Sequence, residues 1–390
     1  KNTLSSVYKL GFCLIGDPAV KIAYPEFGMK VTTVNGQSVD GNSISFKALE
    51  KITVEGEVLD ASGQLVTDFT GIVNPTVKDS KVTVTCLKNS NKDDSPAFTF
   101  TDYPNTIFIG NDSVRNGKFS FTFTVPKDIS YSNLQGKMNL YAVDTESGNE
   151  AQGNFDNFIV GGTSDTAETD TIGPEIRALY LNDTTFVDGG QVNTTPYFVA
   201  ELWDKSGVNI TGSSVGHDMM LVIDESTVLS YNLNSYYELL PGEDGTGIVK
   251  FPIPALEPGK HTAEFWVWDI LNNSTVRTFT FEVVEGLKPF LFDVIATPGI
   301  AREQVTFHLM HNRPESRMRV GIMVYDLAGR QLWKHEESGT SGLFENYTVS
   351  WDLTSGGARM RPGVYIYRAA ISTDNSKDAT KARKFIILGE

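Results

Sequence analysis

The sequence of 390 residues contains only two cysteines, Cys13 and Cys86. Two cysteines exclude a disulfide framework and a cysteine-based metal site. They could form one bridge if the fold brought them together. We favour buried free thiols, because Cys13 lies in the apolar run GFCLIGD and a cysteine in such a run is usually a packing residue.

Positive charge is also scarce, since 33 Lys and Arg stand against 48 Asp and Glu for a net charge of −15. This balance argues against a nucleic-acid partner, because phosphate binding needs a cationic face. Long apolar runs are missing too, and no stretch reaches the roughly 18 residues of a membrane helix. The first residues, KNTLSSVYKL, do not resemble a signal peptide.

What the sequence does contain is an all-β pattern. Short alternating runs recur between turn residues, and in one of them Phe119, Phe121, Phe123 and Val125 would share one face of a strand. Apolar residues do not recur at helical spacing over more than two turns. Strands every 8–12 residues with Gly, Asn and Asp between them predict β-sandwiches.

Composition changes divide the chain into segments. The polar, acidic stretch at 163–171 reads as an exposed linker. It separates two predicted Ig-like β-sandwich domains, residues 26–162 and 172–285. A further break near Glu285 opens a C-terminal β-sandwich domain at 286–390. The fold class predicted is therefore all-β, with tandem Ig-like β-sandwich domains followed by one more β-sandwich.

An internal repeat supports two domains of one type. The stretches that begin at Gly117 and Gly247 both run Gly, alternating strand, Pro, Gly-Lys, strand, then Asp and a polar turn. Asp144 and Asp269 occupy equivalent places in this repeat. We predict that each starts a hairpin turn through its side-chain oxygens.

Catalytic motifs are missing. The sequence has no HExxH, GxSxG, P-loop or GxGxxG motif. His308 and His311 are three apart in a predicted strand, so they would face opposite sides of the sheet and would not bind one metal together. We interpret them as surface histidines and predict no catalytic, cofactor-binding or metal-binding residue in this chain.

One polar loop keeps a calcium site open as an alternative. Its oxygen-bearing residues could coordinate a calcium ion, but they lack the regular spacing of an EF-hand, and a turn-rich connection between strands explains the loop equally well. These residues are Asp204, Ser206, Asn209, Asp218 and Asp224.

Two segments carry a resemblance to known families. FCLIGDPAVKIAYP at 12–25 resembles the segment that closes the peptidase domain of gingipain-type cysteine peptidases, so residues 1–25 would be the tail of such a domain. The last hundred residues, with VTFHL, VYDLAGRQLW, WDLTSGGARMRPGVYIYRA and KARKFIIL, resemble a type IX secretion C-terminal sorting domain. Between them, GPEIRALYLND and WVWDILNNS are similar to gingipain-like sortases of that secretion system.

This resemblance implies a non-catalytic C-terminal part of a cell-surface, outer-membrane-associated sortase. The parent enzyme would carry its Cys–His pair upstream of Lys1, cleave the sorting domains of cargo proteins and attach the cargo to lipopolysaccharide. The partners implied are an outer-membrane β-barrel shuttle protein, attachment-complex subunits and, through the parent, cargo sorting domains. An accessory region of an ordinary secreted gingipain-like peptidase and an Ig-like adhesin are the alternatives.

The sorting-domain resemblance also selects candidate docking residues. A tight turn with a glycine at positive φ and a Pro-Gly turn into an alternating strand would shape the domain. The basic terminal strand could present a sheet edge to an acidic partner, or its charges could simply protect an edge strand. The candidates are Asp326, Gly329, Pro362, Gly363, Tyr365, Lys381, Arg383 and Lys384.

Overall fold

The computed structural model describes residues 24–88, 96–165, 170–212, 216–240, 245–373 and 375–389. The predicted peptidase tail at 1–25 lies almost entirely outside these residues. Within them the chain is all-β, as predicted, and its one helical element is a 3-10 turn at Asn234–Tyr236. In the described part of the chain, no helix is long and apolar enough to cross a membrane.

The first unit holds fourteen strands around one core. The predicted alternation is confirmed, because Phe119, Phe121, Phe123 and Val125 are all buried in that core. The strands are β1 Phe27–Val34, β2 Gln37–Ser38, β3 Ile44–Ala48, β4 Lys51–Leu59, β5 Gly71–Lys78, β6 Val82–Thr85, β7 Thr99–Asp102, β8 Thr106–Ile109, β9 Asp112–Arg115, β10 Lys118–Thr124, β11 Leu134–Gln135, β12 Lys137–Asp144, β13 Glu150–Phe155 and β14 Phe158–Thr163.

Seven of these strands close into a ring in the order β12, β13, β1, β4, β10, β9 and β5, because β5 also pairs with β12. The two strands approach closely at Gly71, where a Cβ atom would lie 1.9 Å from the carbonyl oxygen of Val143. Closure pairs both edges of the sheet, which removes open edges. The predicted Ig-like β-sandwich, which would keep two separate facing sheets, is therefore wrong for the main sheet of this unit. A smaller sheet, β11-β14-β3, lies beside the ring.

The second unit consists of two sheets around a core of its own. Their orders are β15-β17-β21-β20 and β16-β23-β22-β18-β19. The strands are β15 Glu175–Leu181, β16 Gln191–Val192, β17 Tyr197–Trp203, β18 Met220–Ile223, β19 Ser230–Asn232, β20 Tyr237–Leu239, β21 Thr246–Pro252, β22 Gly259–Trp268 and β23 Ser274–Val283.

The third unit also has two main sheets, β24-β26-β29 and β25-β33-β32-β27-β28, plus the hairpin β30-β31. Trp351, Tyr367 and Phe385 lie in its core. The strands are β24 Leu291–Thr297, β25 Ile300–Ala301, β26 Val305–His311, β27 Met318–Tyr325, β28 Gln331–Gly339, β29 Tyr347–Trp351, β30 Thr354–Ser355, β31 Ala358–Arg359, β32 Gly363–Thr373 and β33 Ala379–Ile387.

Neighbouring units contact each other directly. Between the first and second, the backbone amide of Lys127 donates to the carbonyl of Ile270 over 2.8 Å. Between the second and third, Leu343 packs against an apolar cluster on the outer side of β15, β17 and β21. The buried guanidinium of Arg313 also donates to the carbonyl of Leu287 over 3.1 Å, in the segment that joins these two units.

Candidate functional site

The predicted turn after β27 is present in the third unit. The carboxylate of Asp326 accepts the backbone N–H groups of Ala328 at 3.0 Å and Arg330 at 2.9 Å. These bonds, with the guanidinium of Arg330, hold the pKa of Asp326 below its usual range. Gly329 adopts a φ of +82°, which favours glycine. Asp326 and Gly329 thus shape the hairpin.

The Pro-Gly candidates lead into β32, as the sequence indicates. Gly363 is the first residue of that strand, directly after Pro362. Tyr365 points into the core, and its hydroxyl donates to the carbonyl of Arg361 over 2.6 Å. Its ring therefore packs inside the unit and is not available to a partner.

The three basic candidates of the terminal strand do not share one surface. Lys381 and Arg383 lie on the same side of β33 as the core residue Phe385, and both reach β24. The ammonium of Lys381 donates to the carbonyl of Phe292, and the guanidinium of Arg383 binds the carboxylate of Asp293 at 2.9 and 3.1 Å. Lys384 lies on the opposite, outer face of the sheet.

The terminal strand also has a second paired neighbour at one end. It pairs with β32 over nine residues, from Gly363–Ile387 to Ile371–Ala379. At its C-terminal end, β25 pairs with Ile386 and Ile387 on the other side. The open edge expected from the sequence is thus occupied at this end, and nearer Lys381 it faces β24.

An acidic cluster lies next to the junction of the first two units. One carboxylate oxygen from each of Asp170, Asp204 and Asp269 lies within 4.8 Å of the others. Asp204 follows β17, Asp269 follows β22, and Asp170 precedes β15. Asp204 is 6% and Asp269 0% exposed. Segments that flank three strands of the second unit therefore place three carboxylates together, two of them deeply buried.

Burial sets the electrostatics of this cluster. It raises the pKa of Asp204 to about 6, against the lowering effect of the Gly207 and Ser206 backbone N–H groups at 2.9 and 2.8 Å. Burial also raises the pKa of Asp269, although the Asn273 side chain and backbone donate to it. Asp170 has a lowered pKa, because the N–H of Ile172 and the hydroxyl of Ser206 donate to it.

This cluster could hold a cation. Carboxylate oxygens are ligands that Ca²⁺ accepts, and a bound cation would offset the burial and the smaller mutual repulsion that raise the pKa of Asp204 and Asp269. The residues in position are Asp170, Asp204 and Asp269, with the hydroxyl of Ser206 hydrogen-bonded to Asp170 at 2.9 Å.

The loop predicted from the sequence supplies only part of this arrangement. Asp218 accepts a bond from the side-chain amide of Asn234 at 2.8 Å, and Asp224 contacts the ring of His261 at 2.7 Å. Asn209 uses its side-chain oxygen on Thr211. These three residues have their own partners, whereas Asp204 and Ser206 lie at the cluster.

Two cluster members were missed as possible ligands. The internal repeat predicts a turn role for Asp269, and that role is confirmed, because its Oδ1 accepts the N–H groups of Leu271 and Asn273 at 2.9 and 2.7 Å. Asp170 lies in the predicted linker, where its polar surroundings indicated only exposure. The acidic character of that linker was the available signal.

His311 corrects the surface-histidine interpretation. Its burial lowers its pKa to about 4, with a further lowering from the charge of Arg313. The expected opposite facing is confirmed, since His308 lies on the outer side of β26 and His311 on the inner side. Both rings are half-buried, so what distinguishes His311 is its inward position beside the charge of Arg313.

The His311 ring also contacts a serine, but its proton is on the nitrogen that would have to accept the serine proton in catalysis. Nδ1 of His311 accepts the backbone N–H of Arg313 at 3.1 Å, and Nε2 lies 2.9 Å from the hydroxyl of Ser341. In a neutral imidazole one nitrogen donates and the other accepts, so this network assigns the proton to Nε2. A protonated Nε2 donates to Ser341 and cannot take its proton.

The cysteine prediction is wrong where the structure tests it. Cys86 is an exposed free thiol, just after β6 in a hairpin whose other strand, β7, is exposed along its length. Cys13 lies outside the described residues. An exposed hairpin cannot be distinguished from a buried one by the alternation in KVTVTCL alone.

A contact between the first two units was not foreseen either. The carboxylate of Asp128 lies 2.6 Å from Nδ1 of His217 and accepts a bond from the side-chain amide of Asn272 at 2.9 Å. The His217 ring packs against Trp268 with centroids 4.4 Å apart. The partners of Asp128 are 89 and 144 residues away in the chain, so no local pattern marks the pair.

Comparison with known proteins finds no matching family model and no matching curated protein. Among solved structures, dimeric latent PorU from Porphyromonas gingivalis is 37% identical, over 96% of this chain and 35% of that chain, with a TM-score of 0.43. The chain therefore spans about a third of the length of that protein.

Two further solved structures are similar only at low identity. A tetra-tandem repeat from the extending region of a large adhesion protein is 14% identical, over 94% of this chain and 74% of that chain, with a TM-score of 0.19. The Ig1-2 module of a Drosophila receptor protein tyrosine phosphatase is 9% identical, over 56% and 100%, with a TM-score of 0.23. The sequence identity to PorU is thus the informative result.

Proposed function

We propose that this chain is the non-catalytic C-terminal part of a cell-surface type IX secretion sortase related to PorU. The observation that carries the proposal is the 37% identity that extends along 96% of the chain. Because the aligned region covers all three units, it relates the sequence of each of them, and not of one common module, to a region of that protein.

In this function the units support and position an upstream peptidase domain. The first two act as spacer modules, and the third acts as a sorting domain that docks the enzyme onto an outer-membrane β-barrel shuttle protein. Direct contacts at both junctions, through Lys127 and Leu343 among others, favour a stiff spacer. The parent enzyme would cleave cargo sorting domains and attach the cargo to lipopolysaccharide.

Catalysis is assigned to the parent enzyme. The one serine–histidine contact described above has its proton on the wrong nitrogen for a general base. We expect the purified 390-residue chain to leave a cargo sorting-domain peptide intact, while the full-length sortase cleaves it in the same assay. Cleavage by the chain alone, measured by mass spectrometry, would contradict this assignment.

Docking is tested by binding to the barrel shuttle protein in detergent. We expect the chain to bind, and residues 1–285 without the third unit not to bind. An Ig-like adhesin predicts the reverse, since residues 1–285 would bind host glycans on their own. An ordinary secreted peptidase predicts that its mature cell-surface form has lost the C-terminal unit, which terminal peptide mapping through Gly389 detects.

A further inference from the structure

The outer face of the five-stranded sheet in the third unit carries an apolar strip. Ile300 and Val364 both pair in register with Ile386, and Ile366 lies two residues further along β32 on the same side. Ile300 is 54%, Val364 40%, Ile366 38% and Leu388 38% exposed. Exposed apolar side chains that cluster on one face mark an interaction site, whereas scattered ones do not.

Basic residues lie on the same face of the sheet as this strip. Register places Lys384 beside Ile366, Arg368 two residues along β32 from Ile366, and Arg319 at the far end of β27. Within the described part of the chain these three cations have no ion-pair partner. On the neighbouring strand β28, Lys334 is paired with Glu336 at 2.8 Å.

The charge of the whole unit points the same way. Residues 286–390 hold 14 Lys and Arg against 11 Asp and Glu, whereas residues 1–285 hold 19 against 37. The third unit is therefore net positive in a strongly acidic chain. Lys381 and Arg383 are used internally on β24, so the outer sheet face, and not the terminal strand as such, presents free positive charge.

The composition of this face favours a protein, and not a membrane, as its binding partner. Its apolar side chains lie half-exposed on the sheet, and its three free cations fall short of the roughly four to eight that anionic lipid binding uses. An apolar centre with arginine at its border is the anatomy of a protein interface. Opposite charge on the partner would steer association.

We infer that this face, centred on Ile366 with Arg368 and Lys384 at its border and Arg319 further along the sheet, docks a protein surface that presents carboxylates around an apolar patch. The inference rests on the proposed function, because it assigns the docking surface of the same C-terminal unit. The docking surface is then the outer face of the sheet, and not the edge of the terminal strand that the sequence analysis considered.

The test uses the full 390-residue chain and the barrel shuttle protein in detergent. Ile366→Glu places a charge in the centre of the face, and the double variant Arg368→Glu/Lys384→Glu reverses the border without touching the apolar strip. Ile295→Glu, at a 47% exposed position on the outer side of the other sheet, and Lys260→Glu in the second unit are the matched controls. Tryptophan fluorescence during unfolding, compared with that of the wild type, checks that each variant remains folded.

We expect Ile366→Glu to weaken binding by about 30-fold or more, the equivalent of a 2 kcal/mol interface residue. The double variant should weaken it by about 10-fold and flatten its salt dependence, and both controls should bind like wild type. If the wild type binds and the face variants bind equally well, the assignment of this face as the docking surface is wrong, while the proposed function stands. If the wild type does not bind at all, the proposed function fails, and the assignment of this face as the docking surface fails with it.

Two other results would also overturn the choice of occupant. One is binding of the wild type, but not of Ile366→Glu, to phosphatidylglycerol vesicles without any protein. The other is a dimer of this chain in sedimentation that Ile366→Glu converts to monomer.

Discussion

The two equivalent hairpins of the internal repeat use the same turn chemistry with opposite electrostatic results. Asp144 accepts the N–H groups of Glu146 and Ser147 at 2.9 and 2.8 Å, as Asp269 accepts those of Leu271 and Asn273. Yet the pKa of Asp144 is lowered to about 2, whereas that of Asp269 is raised.

The difference comes from the surroundings of each turn. The Asp144 carboxylate also accepts the N–H of Thr70 at 2.9 Å, and donors outweigh desolvation there. Asp269 is fully buried beside Asp204 and Asp170. The comparison shows that one sequence motif supplies the turn, while the neighbouring loops decide whether the charge stabilises the fold.

The largest expected effect is at the buried turn. Asp269→Ala removes the acceptor of two backbone N–H groups and one amide, and each unsatisfied buried donor costs about 1–3 kcal/mol. We expect the free energy of unfolding to fall by about 4 kcal/mol, measured by Trp fluorescence in urea. Asp269→Asn keeps an oxygen acceptor and removes the charge, so it should cost far less. Equal losses in both variants would mean that the charge itself matters.

Asp204→Asn should stabilise the protein near neutral pH. With a folded pKa of about 6, Asp204 binds a proton more tightly in the folded state, so its ionisation weakens the fold as pH rises from about 4 through 6. The shift corresponds to at most about 3 kcal/mol. The gain should be present at pH 7.5 and vanish below pH 4. A gain that persists at low pH would contradict the charge explanation.

Asp144→Asn should show the opposite pH dependence. A lowered folded pKa means that the carboxylate contributes stability above the unfolded value near 4, and that this contribution disappears as pH falls through about 2. We expect the variant to melt several degrees below wild type at pH 7 and together with it at pH 2, by circular dichroism. A constant difference across this range would remove the contrast with Asp204.

Asp170→Asn should have the smallest effect on stability. It loses favourable bonds from Ile172 and Ser206 but removes a charge that raises the pKa of both Asp204 and Asp269. These contributions oppose each other. The sharper readout is the pH midpoint of the stability curve near 6, which should move to lower pH; a midpoint that stays in place would show that Asp170 is not part of the cluster.

Local pattern predicted much of the fold and little of the site. The alternation in FSFTFTV placed Phe119 and Phe123 correctly in the core, and the repeat identified both Asp turns. It could not predict that β5 would pair with β12 and close a ring, because strand pairing depends on contacts distant in sequence. It also could not place Asp170 beside Asp204, or His217 beside Asp128.

The sequence by itself determined the all-β class, the turns at Asp144, Asp269 and Asp326, and the type of residue that faces each core, since these follow from a period of two and from side-chain-to-backbone bonds within a few residues. Only the tertiary structure decided which charges are buried, which are free and which pair across a sheet. Lys381 and Arg383 reach β24 while Lys384 faces solvent, because alternate residues of one strand point to opposite sides. The interaction between two charges depends on their distance in space, and the order of residues along the chain does not specify that distance.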